Sequence, residues 1–510
     1  MKRYDVLYST LIPVLASTAC VLASTACKEE EIFSTTVSLL PFSGKDADVP
    51  CDAEPITCKE PCRYYVSPYG KKESGDGMSW AASKLTLQEG INAAYCAVKG
   101  CDAVKTCEVW VGEGHYFVNT MSDNATHETL RLRSGVSVYG GFWAGATVFE
   151  DRDLTDDNSL GSWLFPSETG DEMVDTLITA ADGARFDGFH IQAGYKTGTV
   201  DDTDSEKPMK RDSVRTAISV SGGTFTLANS NIFIVGPDGD RKGTAVRVVG
   251  GNLTVDNCLF RDIQGSAIDA VDSTLNISDT LFRDNETIQT ESVVSTAGET
   301  QLVISDTRFY SNTASEGVLH LKELSSGSTM VAENVVFMNN SAETDGAIVS
   351  CDPLPKDAWV EINNSTIYMN KHADESGDTV RFALPADADY TGMISIANTI
   401  VWRNEGNGLT FLDPDENVLQ PDVVQYSIIQ GGYEGSGNMD ADPMITEPSD
   451  YYDGYPSLAA DSPCIDAANG DAAPETDILG KARWDAPDVD DTGIGDPSWA
   501  DIGAVEFQEN

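Results

Sequence analysis

The sequence has few basic residues. Its 510 residues include 33 Lys and Arg against 82 Asp and Glu, so the formal net charge is −49. Such an acidic surface repels the phosphate backbone of nucleic acids and anionic lipid headgroups. We therefore expect no nucleic acid partner, and the lack of a phosphate-cradling glycine loop in a suitable context argues against a nucleotide. The charge is typical of a protein that stays soluble outside the cell, and it would attract Ca²⁺.

Histidines and long apolar runs are also scarce. No segment after residue 27 approaches the roughly 20 apolar residues that a membrane-spanning helix needs. The histidines show no spacing typical of metal ligands, which argues against metal binding by any of them. They are His115, His127, His190, His320 and His372.

The N-terminus has the features of an export signal. Lys2 and Arg3 provide a positive end, and residues 6–26 are mostly apolar or small. Residues 14–20 then recur at once as residues 21–27, and each copy ends in a cysteine. We therefore expect residues 1–27 to direct the chain out of the cytoplasm.

Small residues before a cysteine resemble a bacterial lipobox, in which the cysteine is lipidated and becomes the mature N-terminus. We expect this modification at Cys27, with Cys20 as the alternative and an ordinary cleaved signal as the other interpretation. The charged residues 28–31 look like the tether that sends some lipoproteins to the outer surface. The sequence thus predicts a lipoprotein held by its lipid anchor in the outer membrane, at the cell surface. A periplasmic or a secreted protein is the alternative.

Eleven cysteines in an exported chain indicate disulfide bonds. Zinc is the competing interpretation, but the chain has no Cys-x-x-Cys pair and the compartment is oxidising. Six of the cysteines fall in two clusters. Three bridges among these six would fix the N-terminal region, and the sequence leaves their pairing open. The six candidates are Cys51, Cys58, Cys62, Cys96, Cys101 and Cys107.

A short apolar phrase recurs nine times along the chain. Its clearest copies are residues 253–260, 275–282 and 302–309. We call the residue three positions before the end of each copy its anchor. The anchors, 22 to 41 residues apart, are Gly188, Asn229, Asn257, Asp279, Asp306, Asn334, Asn364, Asn398 and Tyr426. A repeat of this size, without helical periodicity between its copies, is typical of a solenoid.

A second family of alternating strands follows the first, for example at residues 217–220, 245–248 and 267–270. Two or more strands in a repeat as short as 22 residues predict a parallel β-helix, because such a repeat is too short for a propeller blade. An asparagine stands six residues after five successive anchors. We expect these side chains to form a hydrogen-bonded ladder: Asn285, Asn312, Asn340, Asn370 and Asn404.

The remaining segments give a predicted order along the chain. A lipoprotein signal at 1–27 is followed by a tether at 28–62. An N-terminal cap with the first coils occupies 63–173, the regular rungs occupy 174–430, and an irregular C-terminal cap occupies 431–510. Residues 84–98 place apolar side chains on one helical face and predict a short helix that covers the open end of the solenoid. Residues 150–172 are polar and irregular, which predicts a projecting loop.

Several motifs occur together in this order. Ser134-Gly-Val-Ser-Val-Tyr-Gly-Gly141, Asp187-Gly-Phe-His-Ile191 and the Asn/Asp-x-x-Phe-x-x-Asn rungs precede Ser462-Pro-Cys-Ile-Asp466, Gly480-Lys-Ala-Arg483 and Asp501-Ile-Gly-Ala-Val-Glu506. With them, roughly residues 63–507 resemble bacterial right-handed parallel β-helix surface proteins related to the polymorphic outer-membrane-protein repeats. The resemblance implies an all-β, right-handed parallel β-helix, and it is specific for the fold and not for an activity.

Polysaccharide lyases and hydrolases share this fold, so the fold is also compatible with an enzyme. Outward side chains at one position of stacked rungs lie about 4.8 Å apart. The second strand family presents one such row, and Arg–Asp pairs follow the phenylalanines of two adjacent rungs. If the protein is an enzyme, the catalytic candidates are Arg247, Asp269, Arg283, Asp284 and His320. Solvated ion pairs of little energetic weight are the alternative.

An acidic run near the C-terminus resembles part of a Ca²⁺ loop, with alternating acids and turn glycines. Trp499 stands where an EF-hand needs glutamate, so only a structural Ca²⁺ site of another kind is expected, with a solvated acidic loop as the alternative. Its candidate ligands are Asp488, Asp490, Asp491 and Asp496. No other cofactor is expected.

The sequence favours a non-catalytic surface protein over an enzyme, since no row offers three stacked acids. We expect an adhesive, glycan-binding or structural role, with a polysaccharide or the surface of a host or neighbouring cell as partner. A polysaccharide lyase or glycoside hydrolase that acts on the outer face is the alternative. Trp402 and Tyr368 on adjacent rungs, with Tyr310 nearby, favour glycan binding, and packing beneath loops is the other explanation.

Overall fold

The computed structural model describes residues 49–509 with gaps at 50, 52–57, 59, 70–72, 120–128, 155–160, 168–172, 195–212, 234, 236–242, 288–290, 344–346, 373–376, 387 and 449–453. The chain divides into Met1–Ser43 and Gly44–Asn510, and the described residues all belong to the second unit. The predicted signal, the lipidation candidates Cys20 and Cys27, and His127 lie outside them.

Three long parallel sheets, which we call A, B and C, confirm the predicted fold class, a right-handed parallel β-helix. Each repeat contributes one strand to A, one to B and one to C, and the next repeat pairs with it in parallel. We call such a repeat a rung. The backbone of each rung therefore hydrogen-bonds to the rungs on either side, as expected for a solenoid.

Each sheet takes its strands from successive rungs in chain order. Among the described residues, sheet A contains Arg63–Val66, Cys107–Gly112, Val136–Phe142, Ala184–Asp187, Thr224–Ala228, Asn252–Asp256, Thr274–Ser278, Gln301–Ser305, Thr329–Glu333, Trp359–Asn363, Ile394–Ala397 and Val424–Gln425. Sheet B contains Gly114–Asn119, Ser162–Ser167, Phe189–Gln192, Asn231–Phe233, Leu259–Arg261, Leu281–Arg283, Arg308–Tyr310, Val336–Met338, Thr366–Tyr368, Ile400–Trp402 and Ile428–Ile429. Sheet C contains Leu130–Arg131, Met173–Thr179, Ser213–Ser221, Gly243–Val249, Gly265–Val271, Ser292–Gly298, Gly317–Leu324, Ala347–Asp352, Asp378–Ala383, Asn407–Leu412 and the antiparallel Val418–Leu419.

Two small sheets and a few helical turns complete the described elements. The small sheets are Thr313–Ala314 with Ser341–Ala342 and Lys371–His372, and Ile445–Thr446 with Ser457–Leu458. The α-helix is Leu87–Gly100, and the 3-10 turns are Trp80–Ala82, Phe149–Asp151, Tyr390–Gly392 and Gly470–Ala472. Ser162–Ser167 is a strand of sheet B, so the prediction of a loop over all of 150–172 was wrong in that part. None of the helices in the described part of the chain is long and apolar enough to span a bilayer.

All nine anchors share one backbone conformation. Their φ angles are positive, from 42° at Asn364 to 81° at Gly188. Glycine, asparagine and aspartate tolerate this left-handed region best, which explains why they fill eight of the nine positions. The anchor is therefore the sharp corner between a strand of sheet A and the following strand of sheet B.

Side chains of the same type stack along the interior of the β-helix. Phe260, Phe282, Phe309 and Phe337 stack in a row with ring centroids 4.7 to 4.9 Å apart. The row is fully or nearly fully buried, with exposures of 0 to 2%. Because each ring contacts the rings above and below, the core is continuous from rung to rung.

The five asparagines form a ladder at the turn that follows sheet B. The Nδ2 of each of the first four donates to the Oδ1 of the next asparagine at 2.8 to 3.0 Å. Each Nδ2 also donates to a backbone carbonyl of the preceding rung, as Asn340 does to Phe309. Since the side chains are buried, the ladder satisfies polar groups of the turn that water does not reach.

The N-terminal end is covered by the α-helix and held by disulfides. The helix begins with a capping box between Thr86 and Glu89. It packs so closely on sheet A that a Cβ at Gly90 would collide with Cγ2 of Val66. The predicted disulfides are confirmed, and the structure pairs the first cysteine cluster with the second in order: Cys51–Cys96, Cys58–Cys101 and Cys62–Cys107.

Residues 454–509, which we call the C-terminal segment, lie along the outer face of sheet B. One apolar cluster joins Ile465 and Ile502 to Ile400 and Ile428, and another joins Val505 to Tyr368. Asn398 fixes the segment from the anchor row, since its Nδ2 donates to the carbonyl of Asn469 at 2.9 Å. The C-terminal segment therefore covers the flank of the last rungs.

Candidate functional site

The outward row predicted on the second strand family is present on sheet C. Strand register aligns Ser219 with Arg247, Arg247 with Asp269, Asp269 with Ser295, and Ser295 with His320. The row continues through Ser350, Arg381 and Thr410. Three of the catalytic candidates thus share one face, at intervals of one or two rungs.

Within this row, His320 is the best-defined titratable group. Its Nδ1 lies 3.4 Å from Oγ of Ser292 and 3.5 Å from a carboxylate oxygen of Glu316. Burial, together with Lys322, lowers the pKa of His320 below its ordinary value. Asp269, two rungs away, accepts a hydrogen bond from Ser295 at 3.1 Å.

The other two catalytic candidates lie on a different part of the rung. Arg283 ends a strand of sheet B, and Asp284 is the left-handed residue that follows it. The two side chains lie 3.7 Å apart, and Arg261 and Asp262 form the equivalent pair at 3.0 Å on the preceding rung. They therefore form local ion pairs at the turn and do not join the row on sheet C.

The aromatic residues expected to favour glycan binding are covered. Tyr368 is 1% exposed and packs against the C-terminal segment, as do Trp402 and Tyr310 in part. The phenol oxygen of Tyr368 accepts a hydrogen bond from Arg403 at 2.8 Å. Packing, the alternative explanation, accounts for these three side chains.

A different set of rings lies on the outer face of sheet B at its N-terminal end. Strand register aligns His115 with Trp163 and His190, and Phe117 with Phe165. Alternating residues such as Tyr116 and Leu164 point inward and are buried, so the rings between them face outward. We call this set the aromatic patch; it consists of His115, Phe117, Trp163, Phe165, His190 and Phe233.

The rings of the aromatic patch contact one another across four rungs. Trp163 stacks on His190 with centroids 4.7 Å apart and meets Phe233 edge-on at 5.6 Å. Phe165 contacts both Phe117 at 5.5 Å and His115 at 5.2 Å. His115 is exposed, and Phe117, Trp163 and Phe165 are half-buried. His190 and Phe233 are 9% and 4% exposed, so the part of the patch that solvent reaches is formed by His115, Phe117, Trp163 and Phe165.

Two cavities border the aromatic patch. One of about 430 Å³ is lined by His115 and Phe117 and by polar groups of Gln88, Asn92 and Arg131. The other, about 370 Å³, begins at His190 and follows the anchor row. Burial and neighbouring carboxylates raise the pKa values of two anchors in that groove, Asp279 and Asp306. A polar ligand that extends from the patch would find hydrogen-bonding groups on either side.

Sequence reasoning missed the aromatic patch. The alternation of aromatic and inward residues at 115–117 and 163–165 was the available signal. It was hidden because the rungs that contain these strands precede the first anchor, so the repeat did not reveal their register.

The predicted metal ligands are only partly brought together. Asp491 lies beside Asp466 and Asp485, whereas Asp488, Asp490 and Asp496 are exposed outside that group. The grouping therefore differs from the one expected, because Asp466 and Asp485 take the place of Asp488, Asp490 and Asp496 beside Asp491.

No family model matches the chain, and no curated protein matches it. Among solved structures, it is similar to a pectate lyase, Pel9A, at 13% identity and a TM-score of 0.36, over 89% of this chain and 98% of that one. It is similar to an endo-xylogalacturonan hydrolase from Aspergillus tubingensis at 12% identity and a TM-score of 0.32, over 74% of this chain and 99% of that one. PfbA, a surface adhesin of Streptococcus pneumoniae, matches at 12% identity and a TM-score of 0.32, over 78% of this chain and 98% of that one. TM-scores of this size carry no argument about function.

Proposed function

We propose that this protein is a non-catalytic, cell-surface β-helix lipoprotein that binds polysaccharide through the aromatic patch. The observation that carries the proposal is the outward alignment of Trp163 and Phe165 beside His115 and Phe117. Sugar rings have faces of C–H groups that pack on aromatic rings, and hydroxyl groups that hydrogen-bond at their edges. The polar groups of the two bordering cavities would form hydrogen bonds with those hydroxyl groups.

The geometry of the patch fits a chain-like ligand better than a single sugar. Its rings follow the stacking direction over successive rungs, each about 4.8 Å from the next. A polysaccharide that lies along this direction would contact several rings at once. Each contact would be weak, and their sum would give a useful affinity without a deep pocket.

The lipid anchor is part of the same proposal. The paired cysteine-ending repeats at residues 14–27, which resemble a lipobox, support lipidation of Cys27, with Cys20 as the alternative. Three disulfides support an oxidising compartment. Metabolic palmitate labelling tests the anchor: Cys27→Ser is expected to abolish labelling. Unchanged labelling of the variant would move the site to Cys20, and an unlabelled wild type would remove the anchor.

The experiment for the binding function uses the mature protein from Lys28 onward and a panel of acidic and neutral polysaccharides. Affinity electrophoresis is expected to show retardation by at least one polysaccharide. The same mixtures are assayed for ultraviolet absorbance of unsaturated products and for new reducing ends. Binding without either product supports the proposal, and binding with products overturns its non-catalytic part.

A polysaccharide lyase or glycosidase is the second candidate function. The row on sheet C favours it, since Arg247, Asp269 and His320 face outward together. A neutral histidine is the form that accepts a proton, and the lowered pKa of His320 favours that form. If products appear, His320→Gln and Asp269→Asn are expected to abolish them, while Arg215→Gln on the same sheet leaves them unchanged.

A further inference from the structure

Three carboxylates of the C-terminal segment converge at one point. One carboxylate oxygen from each of Asp466, Asp485 and Asp491 lies within 4.8 Å of the other two. Asp466 belongs to the Ser-Pro-Cys-Ile-Asp motif, and the other two lie 19 and 25 residues further along the chain. Asp485 and Asp491 are exposed, whereas Asp466 is 0% exposed.

The side chain of Asp466 is the unusual member of this group. Its Oδ1 is buried and has no hydrogen-bond partner, while Oδ2 accepts only a long bond of 3.3 Å from the amide of Ala486. An unpartnered buried carboxylate oxygen is unfavourable, because it has lost water and gained no donor. A cation between the three carboxylates would supply the missing partner.

The backbone holds Asp466 in this position. Its amide donates to Oδ1 of Asp501 at 2.8 Å, and its carbonyl accepts from the amides of Thr492 and Gly493 at 2.8 and 2.9 Å. Its φ of 51° lies in the left-handed region. The carboxylate is therefore fixed beside the loop that carries Asp485 and Asp491.

The local charge is unbalanced. Asp466, Asp485 and Asp491 bring three carboxylate groups together. The buried Arg483 does not compensate this charge, since its guanidinium is paired with Glu506 at 2.7 Å. Three carboxylates at this separation repel one another unless a positive charge lies between them.

We propose that Asp466, Asp485 and Asp491 bind a Ca²⁺ ion that fastens residues 485–491 to the rest of the C-terminal segment. Ca²⁺ takes six to eight oxygen ligands at about 2.3–2.6 Å, so oxygens on opposite sides of the ion lie about 5 Å apart. Three carboxylate oxygens within 4.8 Å of one another are compatible with this geometry. Water would fill the remaining positions on the exposed side formed by Asp485 and Asp491.

The ion would act on the flank of the β-helix. Ile465, next to Asp466, belongs to the apolar cluster with Ile400 and Ile428 of sheet B. Ca²⁺ would therefore stabilise the contact between the C-terminal segment and the last rungs. This inference does not depend on the proposed polysaccharide binding.

The test measures Ca²⁺ binding to the chelator-treated mature protein by isothermal titration. We expect one site per chain and a rise in the thermal unfolding midpoint on addition of Ca²⁺. Asp466→Asn keeps the size of the side chain and is expected to weaken binding at least tenfold. Asp490→Asn, an exposed acid of the same run outside the group, is expected to leave the affinity unchanged.

One further variant and a second ion keep the result interpretable. Asp485→Asn alters an exposed ligand, so it is expected to fold normally by circular dichroism and still to lose at least tenfold in affinity. Equal losses in Asp485→Asn and Asp490→Asn would overturn the proposed ligand set. No binding of Ca²⁺ at millimolar concentration by the folded protein would overturn the site, and equal binding of Mg²⁺ would overturn its assignment to Ca²⁺.

Discussion

The side-chain amide of Asn340 donates to Oδ1 of Asn370 on the next rung at 3.0 Å. The same Nδ2 donates to the carbonyl of Phe309, while Oδ1 accepts from the backbone and side-chain amides of Asn312. One buried side chain thus serves four polar groups on the two neighbouring rungs. The ladder is therefore a structural device that holds the turn after sheet B in register.

Replacement of Asn340 by alanine is expected to destabilise the protein strongly. Several buried donors and acceptors would lose their partner, at a cost of about 1–3 kcal/mol for each one left unsatisfied. We expect the free energy of unfolding in urea to fall by about 2–5 kcal/mol. Asn276→Ala, an exposed asparagine in the middle of a strand of sheet A, is the matched control and is expected to change it by less than about 0.5 kcal/mol. Equal effects of the two variants would contradict a structural role for the ladder.

Replacement of Arg483 is expected to destabilise the C-terminal segment. Its guanidinium pairs with Glu506, and the two side chains are 4% and 0% exposed. Arg483→Met would leave the carboxylate buried without its cation, which costs about 3–5 kcal/mol. Limited proteolysis is expected to cleave the segment much faster, and urea unfolding to shift accordingly. The control is Arg215→Met, since Arg215 is 60% exposed and pairs only at the surface.

His320 is expected to make stability depend on pH. Because burial and Lys322 lower its pKa in the folded state, the unfolded chain binds a proton first as the pH falls below about 6.5. The contribution of His320 to the free energy of unfolding is therefore complete above that pH. It is lost as the pH falls toward the folded-state pKa, by at most about 1.4 kcal/mol per pH unit. His320→Gln is expected to remove this part of the profile measured by urea unfolding. An unchanged profile in the variant would contradict the account.

Thiol titration is expected to distinguish paired from free cysteines among the nine that follow Cys27. Six are paired, and the three free ones, Cys258, Cys351 and Cys464, are buried. Burial raises the pKa of Cys258 to about 12 and also raises those of the other two, so all three resist modification. Without reductant we expect no reactive thiol in the native mature protein and three after denaturation. More than three would contradict the disulfide pattern.

One disulfide can be tested for its contribution to stability. Cys62–Cys107 joins the starts of two neighbouring strands of sheet A across 45 residues of chain. The double variant Cys62→Ser and Cys107→Ser is expected to lose about 2–5 kcal/mol of unfolding free energy, because the unfolded chain gains freedom. Addition of reductant to the wild type is expected to lower its stability by more than it lowers that of the variant.

The fold was predictable because each repeat contains one residue that signals a backbone turn and another that signals a contact between rungs. Asparagine, aspartate or glycine at the anchor signals the sharp turn, and an asparagine six residues later signals the ladder. The spacing of Asn312, Asn340 and Asn370 alone located stacked partners 28 and 30 residues apart. Stacked repeats allow this inference because the same position recurs in every rung.

The candidate sites were less predictable because they depend on contacts without a repeat. Tyr368 is covered by Val505, which lies far away in the sequence. Asp466 meets Asp485 and Asp491 only after the C-terminal segment folds back. Trp163 and His115 become neighbours through the register of the first rungs, where no anchor marks the strands. Local patterns do not contain such information.

The most direct test of the proposed function is a binding isotherm for Trp163→Ala against a polysaccharide that retards the wild type. Trp143→Ala is the matched control, since Trp143 is 50% exposed and lies outside the aromatic patch. Removal of an aromatic residue from the centre of a contact costs about 2 kcal/mol or more, so binding by Trp163→Ala is expected to weaken at least tenfold. The control is expected to bind like the wild type. Equal affinities of the two variants, with both shown to be folded, would contradict polysaccharide binding through the patch.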